Sequence, residues 1–426
     1  MTAIPARRAG ATLALAVGLT LVATPVPASA DGVRDLEYWL DDYGISAAWD
    51  VTRGAGVTVA VIDSGIAEIP ELAGVVTGGV DESGIGSPDG RTPVGEGAEH
   101  GTLVGSILAG RGTGGGDGVI GVAPEADLLS VSVAFGGGTA ETVEDQIAAA
   151  VRWSVDQGAS VINMSLTTNT LDWPESWDDA FLYAFEHDVV VVAAAGNRGS
   201  GTIEVGAPAT IPGVVAVAGL DRAGDASFDA SSQGITLAVA APSEELLGVT
   251  PEGSPVYWSG TSGAAPIVAG IVALIRAAHP ELDADNVINR LVRTATPRGD
   301  PVPGPIYGYG LVDAAEAVTA DVAPVTSNPL AVPYDLEEWI RLYRLADEPA
   351  PAAPEESETP AAAPPEATAT PADPLDLVPG WVRRALPRTS LLTDALLPLG
   401  VLGGFGMLLA AGIVGAVRAA RRRGRT

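Results

Sequence analysis

Apolar positions along the chain follow two patterns. Val57 to Ile62, Val161 to Asn163 and Val189 to Ala194 are short, β-branched runs without polar alternation, which predicts strands buried on both faces. Between the first two, Ile147, Val151 and Val155 recur at four-residue spacing and predict an amphipathic helix. Two further apolar stretches, one opening at His100 and one at Ser262, read as helices that are apolar nearly all round. Alternation of such strands with helices predicts an α/β fold built on a parallel sheet, occupying residues 31–325 without internal repeats. After it, Asp335 is placed to cap a short helix with Glu338 at the capping-box position. Leu336, Trp339, Ile340 and Tyr343 then share one face, which predicts a terminal helix segment, 326–347, docked on the main domain.

The two ends carry a different pattern. Arg7 and Arg8, the apolar run from Ala9 to Thr24 and the small residues Ala28-Ser29-Ala30 read as an export signal over residues 1–30. Residues 348–390 begin as a Pro/Ala/Glu-rich linker whose composition cannot bury a core. Ala395 to Val417 then carries no charge, a length that spans ~35 Å as a helix against a ~30 Å hydrocarbon layer. A transmembrane helix is therefore expected at 391–417, followed by a basic tail, 418–426, with Arg418, Arg421, Arg422, Arg423 and Arg425. A cleaved signal orients the globular bulk outside the membrane and the tail in the cytoplasm.

Composition sharpens this picture. The 426 residues include 23 basic ones, all Arg, against 53 acidic ones, for a formal net charge of -30. Every acidic residue lies between the signal and the tail, so the exported part is more acidic than the whole. Such a surface repels phosphates, which argues against nucleic-acid partners and keeps the body off anionic lipid. The absence of Cys removes disulfides, thiolate nucleophiles and thiolate metal sites, and 3 His leave little for a multi-histidine metal centre. Gly116 to Gly121 fits G-x-G-x-x-G but follows a helix instead of a strand, so it reads as a Gly-rich loop.

Candidate chemistry sits where the apolar runs end. Asp63 closes the first strand and is followed by the turn Ser64-Gly65, while His100 and Ser262 each open an apolar helix. A serine hydroxyl needs a base to become a nucleophile, and an imidazole base needs an orienting carboxylate. A serine at a helix N-terminus also gains free N–H groups suited to a developing oxyanion. Asp, His and Ser in this chain order follow the subtilisin arrangement. His187 and His279 sit in no motif and read as ordinary helix-end residues.

The segments around these residues strengthen that reading. Val59-Ala60-Val61-Ile62-Asp63-Ser64-Gly65, His100-Gly101-Thr102 and Gly260-Thr261-Ser262-Gly263-Ala264-Ala265-Pro266 resemble the three signature blocks of subtilisin-like serine proteases. Gly121-Val122-Ala123-Pro124, Val161-Ile162-Asn163-Met164-Ser165-Leu166 and Ala193-Ala194-Ala195-Gly196-Asn197 match supporting blocks in the same order. The resemblance covers about residues 45–320 and implies the three-layer subtilisin-like fold, a mainly parallel central sheet flanked by helices. It implies Ser262 as nucleophile, His100 as general base and acid, and Asp63 as the group that orients His100. It further implies Asn197 as oxyanion donor, with Ser165, Leu166 and Thr167 pairing an extended peptide and Ala194, Ala195 and Gly196 walling its first pocket. The family usually has Gly at Thr167, so a narrowed first pocket is expected; it also commonly has a bulkier residue at Gly263. No cofactor is expected. Relatives often bind structural Ca²⁺, but the acidic loop from Asp81 to Glu99 lacks EF-hand spacing and reads as a solvated loop.

Only 32 residues separate Ala30 from Asp63, too few for the long pro-domain of secreted subtilisins. The stretch from Tyr38 to Ile45, with the signal, linker, span and basic tail, resembles the mycosins, membrane-anchored subtilases associated with type VII secretion. The absence of Cys departs from the Cys pairs common in mycosins. Two functions follow from the resemblance: an endopeptidase acting on protein or peptide substrates outside the membrane, or a structural component of a membrane secretion complex whose proteolysis is dispensable.

Overall fold

The computed structural model describes residues 32–344 apart from 115, 116, 137 and 169. These residues belong to one compact unit, and the expected signal, linker, span and basic tail lie outside them. Two short helices, α1 (Trp39–Asp42) and α2 (Ile45–Ala48), precede the first strand. The sheet is built from β1 (Thr58–Asp63), β2 (Val76–Asp81), β3 (Asp127–Ser132), β4 (Val161–Met164), β5 (Val190–Ala194), β6 (Val215–Leu220) and β7 (Leu237–Pro242). A hairpin of β8 (Leu246–Val249) and β9 (Pro255–Trp258) follows it. The longer helices are α3 (His100–Ala109), α4 (Val143–Asp156), α5 (Glu175–Glu186), α6 (Thr261–Ala278) and α7 (Ala284–Thr294). The shorter α8 (Ala314–Thr319) and α9 (Leu336–Tyr343) come last.

All seven sheet strands run parallel, in the order β2-β3-β1-β4-β5-β6-β7. β1, β4 and β5 coincide with the three β-branched runs and are buried almost throughout, as strands covered by helices on both faces must be. From β1 the chain goes first to the edge strand β2 and returns to β3 between them, then crosses to the other side of β1 and runs outward from β4 to β7. The strand order therefore reverses beside β1. In open α/β sheets the crevice at such a reversal, outside the carboxyl ends of the strands, is where ligands bind.

Helix α4 is the amphipathic segment expected from Ile147, Val151 and Val155, all three of which are buried. Thr142 caps it by accepting the Asp145 N–H at 3.2 Å, and the acids Glu144 and Asp145 suit its positive end. α6 is long and apolar enough to cross a membrane, yet 83% of it is buried. It packs on α3 and against β1 and β4 to β7, so it is the central helix of a globular core.

The segment before β1 is part of that core. Trp39, Ile45 and Ala48 are fully buried. The Glu37 carboxylate accepts the Ile120 N–H at 3.0 Å, Tyr38 Oη donates to the Glu244 carbonyl at 2.9 Å and Trp49 Nε1 donates to the Val122 carbonyl at 2.8 Å. The end of the described chain is also docked. Asp335 caps α9 by accepting the Glu338 N–H at 2.8 Å. The second half of the expected capping box is missing, because the Glu338 carboxylate pairs with Arg341 at 2.9 Å instead. Leu336 is buried and Trp339 lies 4.3 Å from Trp173, whereas Tyr343 remains exposed.

Candidate active site

Asp63 is the last residue of β1 and is 1% exposed. Both of its carboxylate oxygens lie 2.9 Å from His100 Nδ1, and Oδ1 also accepts the Ser64 N–H at 2.7 Å. The neighbours of these two residues explain the approach. The Gly101 N–H donates to Ser64 Oγ at 2.9 Å, Ser64 Oγ donates to the Ala98 carbonyl at 3.0 Å, and the Ala67 N–H donates to Thr102 Oγ1 at 3.0 Å. Gly65 has φ +102°, a turn that costs a side-chain-bearing residue steric strain. A Cβ on Gly101 would lie 2.5 Å from the Gly65 carbonyl oxygen, so the first turn of α3 rests directly on that turn. Asp-Ser-Gly and His-Gly-Thr are thus two halves of one contact.

The third signature block carries its own logic. A helix bonds N–H(i) to C=O(i−4), and Pro266 has no N–H, so the Ser262 carbonyl in α6 lacks its usual donor. Ser165 Oγ supplies one at 2.8 Å and itself accepts from Asn163 Nδ2 at 3.0 Å. The Ser262 hydroxyl donates back to the Ser165 carbonyl at 3.0 Å. Ser262 is half-buried and is anchored to the end of β4; in this rotamer its hydroxyl is bonded to Ser165 and not to His100. Gly263 also finds its reason here. A Cβ at that position would sit 2.4 Å from Leu246 Cδ1, because the β8–β9 hairpin fills the space a larger residue would need.

Asn197 follows β5 and its amide orientation is defined by its partners. Oδ1 accepts the Thr261 N–H at 2.8 Å and a hydrogen bond from Thr261 Oγ1 at 3.0 Å, which leaves Nδ2 as the donor end of the amide, near Gly260. The Gly196 N–H donates to the same Thr261 hydroxyl at 3.1 Å. Ala194 and Ala195 are buried, and the space between Gly196 and Thr167 is narrow: a Cβ on Gly196 would lie 3.2 Å from Thr167 Cγ2 and 2.7 Å from Thr202 Cγ2. The Thr167 and Thr202 methyl groups both crowd Gly196. Thr202 lies in a loop without periodicity or motif, so nothing local in the sequence marks it.

Ser165, Leu166 and Thr167 share a cavity of about 260 Å³ with Asp63, His100, Glu96, Gly97 and Phe135. Trp258 closes another side of His100, edge-on at 5.6 Å between ring centres. His187 and His279 end α5 and α6 and bond to the carbonyls of Tyr183 and Val318 at 2.8 and 2.9 Å, the helix-end roles expected of them. In the acidic loop, Asp81 accepts from Ser83, Gly86 and Ser132. Burial raises its pKa, but these hydrogen bonds outweigh that and hold the carboxyl below its ordinary range.

Burial of His100 disfavours its imidazolium, but the charge and hydrogen bond of Asp63, aided by Glu99, outweigh burial and raise the pKa above 6.5. This stabilisation of the folded state is complete below pH 6.5 and is lost as pH rises through the elevated folded value. The His100 NMR signals are expected to titrate above 6.5. In Asp63→Asn, burial is left to dominate and the same midpoint is expected to fall below 6.5; an unmoved midpoint would contradict the pairing.

Comparison with known proteins agrees with this geometry. The Subtilase family (Peptidase S8) matches residues 54–310. Mycosin-3 of Mycobacterium tuberculosis is 34% identical over 360 residues, covering 68% of this chain and 76% of the relative. The crystal structure of MycP1 from Mycobacterium smegmatis superposes with a TM-score of 0.58 at 27% identity, covering 68% of this chain and 86% of that one. A second MycP1 structure, described as a serine protease and an essential component of the type VII (ESX-1) secretion system, gives 0.57 at 29% identity, covering 66% and 88%. The chain belongs to the subtilase family and is a subtilisin-like serine endopeptidase related to the mycosins.

Proposed function

We propose that this chain is a membrane-anchored endopeptidase working outside the membrane with a type VII secretion system, and that Asp63, His100 and Ser262 perform its chemistry. The observation that carries the chemical part is the buried Asp63 carboxylate on His100 Nδ1, which leaves Nε2 as the basic nitrogen on the side of the crevice. Rotation of the Ser262 hydroxyl away from the Ser165 carbonyl brings it to Nε2. Ser262 Oγ then attacks the peptide carbonyl carbon while its proton passes to Nε2. Asn197 Nδ2 and the Ser262 N–H stabilise the oxyanion. His100 returns the proton to the departing amine, and water, activated by the same nitrogen, hydrolyses the acyl-enzyme. The anchoring rests on the uncharged run from Ala395 to Val417 and the arginines after it. Association with secretion rests on the relatives' described role.

A fluorophosphonate probe applied to membranes of cells making the full chain is expected to label it in wild type and not in Ser262→Ala. Label in the soluble fraction alone would contradict anchoring. Asn197→Ala is expected to lower kcat by about 10²–10³, with a smaller change in KM. Secretion in a Ser262→Ala strain, set beside a deletion strain, separates the two roles: equal loss assigns the function to proteolysis, and loss only in the deletion strain assigns it to structure. The narrow space between Thr167, Thr202 and Gly196 favours a small side chain just before the cleaved bond. Thr167→Gly is therefore expected to raise kcat/KM for a bulky residue there, relative to alanine, by about tenfold, given ~1–3 kcal/mol for the freed apolar contact. An unchanged ratio would show that Thr167 does not limit the pocket.

A further inference from the structure

The cavity beside His100 holds a feature that the cleavage chemistry leaves unused. An extended substrate alternates its side chains between two faces. With the scissile carbonyl held between Ser262 and Asn197, the first side chain on the acyl side faces the wall of Ala194 to Gly196. The second therefore faces the opposite way, into the cavity of about 260 Å³ lined by His100, Phe135, Leu166, Thr167 and Glu96. Asp63 at its floor is fully engaged with His100 and the Ser64 N–H. Glu96 is not: it is exposed, and among the described residues its carboxylate makes no hydrogen bond or ion pair.

Glu96 is nevertheless held in place. Its N–H donates to the Phe135 carbonyl at 3.0 Å. Its side chain lies over Gly136, where an added Cβ would meet Glu96 Cβ at 3.1 Å and Oε2 at 3.2 Å. The backbone of Glu96 is thus tied to that of Phe135, and the two residues line the same cavity. An apolar cavity with an aromatic wall and an unpaired carboxylate fits a long side chain with an apolar stem and a cationic head. The stem would lie on Leu166 and Phe135, and a flat guanidinium could stack on the ring while meeting the carboxylate.

Resting on the endopeptidase reading above, we infer that Glu96 is a specificity-determining residue that selects a basic side chain, arginine ahead of lysine, at the second position on the acyl side of the cleaved bond. The molecule's excess of acidic residues adds a field that draws such substrates toward the crevice.

The test uses the full chain in detergent and peptides that differ only at this position, carrying arginine, lysine, norleucine or glutamate. Wild type is expected to prefer arginine over norleucine in kcat/KM by about two- to fivefold at low salt, the range for a partly screened ion pair, and to disfavour glutamate. In Glu96→Gln the arginine preference is expected to fall to near parity, and in Glu96→Arg to turn toward glutamate. In wild type it is expected to shrink at ~1 M salt, where the Debye length is about 3 Å. Ser262-dependent cleavage with the same charge preference in wild type and Glu96→Gln would overturn this assignment alone. Cleavage that persists undiminished in Ser262→Ala would overturn the endopeptidase reading beneath it.

Discussion

The hydrogen bond from Ser165 to the Ser262 carbonyl ties the chemistry to the scaffold. It exists because Pro266 withholds the amide proton that would otherwise close the first turn of α6. A buried carbonyl without a partner costs about 1–3 kcal/mol, so the start of α6 is stable where another group can replace that donor. Ser165, just past the end of β4, provides it, with Asn163 behind it inside the sheet. The long, largely buried α6 is thereby seated with its N-terminus at the carboxyl edge of the sheet, beside the reversal of strand order. The same bond places Ser165 to Thr167 alongside Ser262, so the proposed nucleophile and the proposed peptide-binding edge are positioned by one contact.

The second anchor is the packing of α3 on the turn after β1. Ser64 and Gly101 bond to each other, and the absence of a side chain on Gly101 lets backbone touch backbone. Asp63 is nearly inaccessible to solvent, and a buried carboxylate deprived of its partner costs about 3–5 kcal/mol. The Asp63–His100 pair therefore couples local stability to the protonation of His100. The two anchors meet at Asp63 and His100, and the cavity lined by Glu96 and Phe135 opens beside them.

Much of this was legible in the residues themselves. The β-branched runs marked β1, β4 and β5 because strands covered on both faces need apolar residues at every position. Asp63, His100 and Ser262 stood out because each is a polar residue at the edge of an apolar element, Asp63 closing a strand and the other two opening helices. β2 was invisible, since four of the six residues from Val76 to Asp81 are glycine or polar and the strand lies at the sheet edge, half-exposed. The hydroxyl rotamer of Ser262, the pairing of Glu338 with Arg341 and the crowding of Gly196 by Thr167 and Thr202 depend on neighbours remote in sequence or on competition between nearby partners.

By itself, then, the sequence determined the fold class, the chain order of the reactive residues and the family. Each of these follows from local patterning or from short segments whose residue types are tightly constrained. Only the tertiary structure decided why Gly263 is small, why Pro266 is tolerated inside α6 and how Glu96 comes to stand unpaired beside His100. Those outcomes arise where segments distant in sequence meet: Leu246 against Gly263, Ser165 against Ser262, and Phe135 and Gly136 against Glu96. Periodicity reports which face of an element is buried, but not which side chain lies across from it, and selectivity depends on the latter.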